Sequence, residues 1–97
     1  MEYATYQVYI LSNKNNTVLY VGVTSDLKQR MFEHKTRMHK NSFTARYNVD
    51  KLVYYEQFRN IEEAIACEKQ LKKGSRQKKE DLVNAFNTLW IDLSTML

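Results

Sequence analysis

The chain predicts an α/β fold, a small three-stranded antiparallel sheet flanked by about three helices. Three observations carry that class. The apolar segments Tyr6 to Ser12 and Thr17 to Thr24 flank the turn-rich stretch Ser12-Asn13-Lys14-Asn15-Asn16-Thr17, as in a hairpin. A third run, Leu52 to Phe58, is rich in the aliphatic and aromatic residues that suit strands. Segments of helical period lie between the hairpin and that run, and again after it.

The hairpin comes first. Centred between Lys14 and Asn15, it pairs Ile10 with Leu19, Tyr9 with Tyr20 and Val8 with Val21. Strand side chains alternate, so Val8, Ile10, Leu19, Val21 and Val23 share one face, the expected core side. Tyr9 and Tyr20 meet on the other, with Gln7, Gly22 and Thr24. An aligned phenol pair invites a chemical reading, and cross-strand aromatic pairs equally stabilise sheets.

Ser25-Asp26 suits a helix start, because a short side-chain oxygen can accept from first-turn amides. The expected helix runs from Asp26 to about Lys40, with Leu27, Met31, His34 and Met38 at helical spacing and Arg30 on the same stripe. Arg30 and His34, four apart, are surface neighbours. Each also has an ordinary role, Arg30 laying its stem over the core edge and His34 as a satisfied, half-buried histidine.

After the third strand, Asn60 caps an expected helix from Ile61 to Lys73, whose apolar arc is Ile61, Ala64, Ile65, Cys67 and Leu71. Glu68 falls near the middle of that arc. A carboxylate in a packed interface costs several kcal/mol unless it is paired, protonated or metal-bound. An ion pair with Arg30 would satisfy it without chemistry. Gly74 then ends this helix, and Ser75 caps another from Arg76 to Asn87.

Two strand tyrosines, an Arg and a His one turn apart, and an inward Glu on a later helix resemble the GIY-YIG nuclease superfamily. The likeness is to its small bacterial branch similar to the nuclease domain of the excinuclease C subunit, which belongs to DNA repair. Gln7-Val8-Tyr9 stands for Gly-Ile-Tyr and Tyr20-Val21-Gly22 for Tyr-Ile-Gly. Arg30, Glu33-His34, Phe43-Thr44-Ala45-Arg46, Leu52-Val53-Tyr54-Tyr55-Glu56, Ala66-Cys67-Glu68-Lys69 and Asn87-Thr88-Leu89-Trp90 follow in the branch's order. Gln7 in place of glycine, Ser75 in place of an aromatic residue and Thr88-Leu89 in place of Pro-Glu are departures outside the reaction centre.

The resemblance implies a metal-dependent endonuclease or nickase, with DNA the favoured substrate and DNA versus RNA left open. It implies Glu68 as the ligand of one Mg²⁺ or Mn²⁺ ion, hard cations that take oxygen ligands and keep several waters. Arg30 would stabilise charge on the scissile phosphate. Tyr9, assisted by His34, would deprotonate the attacking water and Tyr20 would orient it, an order open to reversal. Asn87 would support the phosphate or the helix end, with Asn84 its rival. A catalytically weak nucleic-acid-binding module, or a subunit dependent on a protein partner, is the alternative.

The 97 residues suit one domain over 1–97, and a single cysteine excludes an intramolecular disulfide. No run reaches membrane-span length, and Met1-Glu2-Tyr3 lacks a signal-peptide pattern, so a cytoplasmic location is expected. The formal charge is +4. Lys35, Lys40 and Arg46 cluster after the first helix, and Lys69, Lys72, Lys73 and Arg76 cluster near Gly74. Both groups suit a phosphate backbone, and both equally suit solvated helix ends.

Overall fold

The computed structural model describes residues 4–97, so the signal-peptide reading of Met1-Glu2-Tyr3 falls outside the described residues. Strand β1 (Tyr6–Ser12) lies between β2 (Leu19–Thr24) and β3 (Lys51–Phe58), antiparallel to both. Helix α1 spans Leu27–Thr36, α2 Phe43–Arg46, α3 Ile61–Lys73 and α4 Arg76–Phe86, and a 3-10 turn follows at Leu93–Met96. The α/β class and the three-stranded antiparallel sheet are as expected. Helix α2 and the 3-10 turn are additions to the expected elements, because four residues are too few to show a period. The only local mark of α2 is Ser42, whose side chain accepts from the Ala45 amide.

The hairpin register differs from the expected one. Tyr9 pairs with Gly22, Ile10 with Val21 and Leu11 with Tyr20. The cause lies in the turn, where Asn16 takes a left-handed backbone (φ 59°), a conformation asparagine tolerates well. Asn13 Oδ1 accepts from the amides of Thr17 and Val18 at 2.8 and 3.0 Å and closes the loop. Moving the turn centre by one residue shifts each partner by two, which is one side-chain period. The residues therefore keep their expected faces although every pair changes.

The expectation of one apolar sheet face is also corrected, since both faces are covered. Val8, Ile10, Val21, Val53 and Tyr54 pack with Ala64 and Leu71 of α3 and Val83 of α4. On the opposite face, Tyr9, Leu11 and Leu52 pack with Leu27 and Met31 of α1, Val49 and Leu93. Tyr9 is fully buried there. Strand β3 serves both cores through a bulge: Ile10 faces Tyr54 while Leu11 faces Leu52, leaving Val53 without a register partner. Asn87 repairs this irregularity, its Nδ2 donating to the Val53 carbonyl at 3.2 Å.

Helix α1 ends earlier than its apolar spacing suggests. Arg37 turns left-handed (φ 52°) and its amide donates to the Glu33 and His34 carbonyls, so Met38 leaves the stripe and is exposed. On α3, Ile61 and Ile65 lie at the exposed margin, and the packed line is Ala64, Cys67 and Leu71. Asn60 caps α3 and Ser75 caps α4 through the expected amide contacts.

Arg76 ties α4 to the hairpin turn. Its Nη1 donates to the Thr17 carbonyl at 2.9 Å, its Nη2 to the Asn16 carbonyl at 2.7 Å, and its Nε to Glu80. Arg76→Ala is expected to cost about 1–2 kcal/mol, from a typical net value per hydrogen bond. A domain of this size should then lose roughly 4–8 °C of melting temperature per kcal/mol. A melt indistinguishable from the parent's would show that the turn holds without the clamp.

Candidate active site

The Tyr9 ring projects from β1 toward α1, where its hydroxyl meets His34 Nε2 at 3.3 Å. His34 Nδ1 meets Thr44 Oγ1 at 3.1 Å, and Thr44 in turn lies 3.3 Å from Ser42 Oγ. With the imidazole proton on Nδ1, His34 donates to Thr44 and leaves Nε2 to accept from the phenol. The rings of Tyr9, Tyr20 and His34 form a triangle with centroids 6.0–6.4 Å apart.

Above this triangle opens a cleft of about 220 Å³, walled by Tyr20, Arg30, Glu33, His34, Phe43 and Thr44 among others. Arg30 Nη1 bonds Glu33 at 3.0 Å, one turn along α1, and His39 approaches the same carboxylate at 3.4 Å. The Arg30–Glu68 ion pair is thus replaced by a local one. Hydrogen bonding from Gln29, with help from His39 and Arg30, holds the Glu33 carboxyl below its ordinary value. Burial pushes the Tyr9 phenol up, against the pull of the Arg30 charge.

Glu68 lies outside this cleft, on α3. Its side chain is 15% exposed and pairs with Lys72 at 3.4 Å, one helical turn on. Lys72 helps to line a neighbouring cleft with Leu19, Val21 and Lys79, and both clefts share Tyr20 and Phe43 as their common wall. Tyr9, Tyr20, Arg30 and His34 therefore come together directly, and Glu68 does not line their cleft.

Asn87 is elsewhere and buried. Besides Val53 it donates to the Ile91 carbonyl at 2.8 Å and accepts from the Ile91 amide at 3.1 Å, holding the end of α4. Asn84 accepts from the Trp90 indole at 2.6 Å. Lys35 is paired with Asp92, whose carboxyl stays low because hydrogen bonds from Lys35, Ser94 and Leu52 outweigh its burial. Lys40, Arg46, Lys69 and Lys73 are exposed. Thr44 and Glu33 escaped the sequence reading as chemical residues. Ser42 as a helix cap is the signal that would have placed Thr44 in an ordered turn beside His34.

Burial, followed by the Arg30 charge, depresses the His34 pKa below its usual value. A base whose folded pKa is lowered stabilises the fold above the unfolded value near 6.5 and loses that contribution as pH falls through the folded value. The melting temperature should therefore fall between pH 7 and pH 5 more steeply than in His34→Gln. Equal slopes would remove His34 as the source.

The two-phenol hairpin and the Arg/His helix lie within residues 5–81, which the GIY-YIG catalytic domain family matches. The chain belongs to the GIY-YIG family. It is similar to UPF0213 proteins, among them one from Streptococcus pneumoniae, 31% identical over 84 residues covering 87% of this chain and 82% of that one. Another, from Clostridium perfringens, is 37% identical over 82 residues, covering 80% and 82%. The solution NMR structure of a UPF0213 protein from Bacillus halodurans matches with a TM-score of 0.53 at 33% identity, covering 84% of each chain. Among the described residues, no helix is long and apolar enough to cross a membrane.

Proposed function

We propose that this chain is a metal-dependent endonuclease or nickase, one domain over residues 1–97, hydrolysing phosphodiester bonds of nucleic acid, with DNA the favoured substrate, in the cytoplasm. The observation that supports it most is the convergence of Tyr20, Arg30 and His34 on one cleft, with the Tyr9 phenol bonded to His34 beneath it. Arg30 is about one-third exposed, so its remaining donors can reach a phosphate without breaking the Glu33 pair.

Tyr20 keeps the orienting role expected from the residues alone, and the base role passes from Tyr9 to His34. Tyr9 is fully buried with a raised pKa, whereas Tyr20 forms the cleft wall. Tyr20 aligns the attacking water. His34, which lines the same cleft, takes up the water's proton at Nε2 as its contact with the Tyr9 hydroxyl gives way, and Thr44 at Nδ1 fixes its tautomer.

The donor chemistry at Glu68 fits Mg²⁺ or Mn²⁺ held mostly by water and substrate phosphate. It offers one carboxylate oxygen pair, opposed among the described residues by a half-exposed Lys72. Among the described residues no group of three or more His, Cys, Asp or Glu could hold a metal by itself. A bound cation there would supply charge neutralisation at the phosphate oxygens. The same lone carboxylate favours the second reading, a nucleic-acid-binding module with weak or lost catalysis or a subunit dependent on a protein partner.

Labelled single-stranded, duplex, flap and branched substrates, incubated with Mg²⁺ or Mn²⁺, decide between them. Wild type should cleave at least one. Arg30→Ala should lower turnover about 10²–10³-fold, the scale for a lost transition-state donor. Tyr20→Phe should also lose turnover while melting like the parent. Absence of wild-type cleavage on every substrate with either metal rejects the nuclease reading.

A further inference from the structure

Helix α2 and the residue that ends it carry two aromatic rings that the core does not use. Phe43 and Tyr47 are 46% and 49% exposed, and their ring centroids lie 4.8 Å apart. Phe43 also stacks on Tyr20 at 6.3 Å and 26°, so the three rings form a continuous line from the cleft wall to the surface. The line is held firmly. Ser42 caps α2, Thr44 is buried against His34, and Asn48 turns the chain with a left-handed backbone (φ 57°) just after Tyr47.

Charge accompanies the rings. Arg46 is exposed on the same short helix, Arg37 lines the cleft on one side of Phe43, and Lys72 and Lys79 line the cleft on the other. Exposed rings in line with a site, bordered by cations, match the chemistry of an unpaired nucleotide strand. The cations take the phosphates and the rings take base faces. A duplex satisfies only half of this arrangement, because its base faces are already stacked on one another.

We propose that Tyr20, Phe43 and Tyr47 form a stacking platform for unpaired bases next to the scissile phosphate, making single-stranded or splayed nucleic acid the substrate class of this site. The proposal rests on the nuclease reading only for the word scissile. The platform itself is tested by binding alone. DNA and RNA share the base faces, so both belong in the test.

Fluorescence anisotropy in EDTA, where no metal-dependent cleavage occurs, would measure affinity for a 12-nucleotide single strand in DNA and in RNA form. The same strand with abasic positions and a blunt duplex complete the set. Wild type should bind the base-bearing strand about 5- to 100-fold tighter than the abasic one, the range expected from stacking. Phe43→Leu and Tyr47→Leu, which keep apolar volume and lose the ring, should each shrink that ratio while leaving duplex affinity within about twofold. The stronger of the DNA and RNA strands identifies the sugar the platform accompanies. If Phe43→Leu melts below the assay temperature, Tyr47→Leu on the outer ring decides alone.

Equal affinity for base-bearing and abasic strands overturns the proposal, as would be seen if the rings served a protein partner. An unchanged ratio in the leucine variants, or an equal loss on duplex, also overturns it. Base-dependent binding by a protein that cleaves nothing would reject the nuclease reading and keep the platform. Cleavage without base dependence would do the reverse.

Discussion

Glu68→Gln is expected to abolish metal-dependent cleavage while leaving the melting temperature nearly unchanged. A buried pair with Arg30 would have made the same substitution cost about 3–5 kcal/mol, by leaving the guanidinium uncompensated. The structure removes that outcome, because Arg30 bonds Glu33 and, among the described residues, Glu68 pairs with the half-exposed Lys72. Pairs of that kind contribute about 0–1 kcal/mol. The carboxylate's negative charge is then the property that matters, and glutamine keeps its shape while removing it. Thermal melts and cleavage assays on one preparation check this. A variant that cleaves like the parent would move the metal away from α3, and one that melts far below it would return Glu68 to a structural role.

Gly22→Ala should be the most damaging single-methyl change in the sheet. A Cβ built at Gly22 would sit 2.4 Å from Cζ and Oη of Tyr9 and 2.9 Å from its Cε1. The glycine has no positive φ, so the demand comes from the ring lying across it. Tyr9 is fully buried and its hydroxyl is tied to His34, which leaves the ring little room to yield. Overpacking of this kind costs about 1–3 kcal/mol. Displacing the phenol should also disturb the His34 contact, so turnover should fall further than stability alone explains. Gly74→Ala is the control: its Cβ would lie 3.4 Å from the nearest atoms, in the range of ordinary contact, and should be close to neutral. Parent-like melting and cleavage by Gly22→Ala would show that the phenol has no fixed position to lose.

Much of this molecule is written in local patterns. The three strands, the caps at Asp26, Asn60 and Ser75, and the face assignments of the hairpin follow from side-chain period and from oxygen atoms placed beside amides. These features depend on neighbours within a few residues, and the sequence by itself determined them. The grouping of Tyr9, Tyr20, Arg30 and His34 was implied by the family resemblance, since Tyr9 and His34 meet across 25 residues.

Tertiary structure decided the rest. The pairing of Tyr9 with Gly22 depends on the left-handed Asn16 and on a ring that needs a residue without a side chain opposite it. Which phenol faces the cleft depends on how closely α1 and the 3-10 turn cover the second sheet face. Glu68 chose Lys72, and Arg30 chose Glu33, because each found an opposite charge on its own helix one turn away. Asn87 became the prop of a bulge in β3, a strand more than thirty residues earlier. Periodicity predicts which face a residue occupies. Which group it touches depends on the free energy of packing whole elements together, and that is settled only when distant segments compete for the same space.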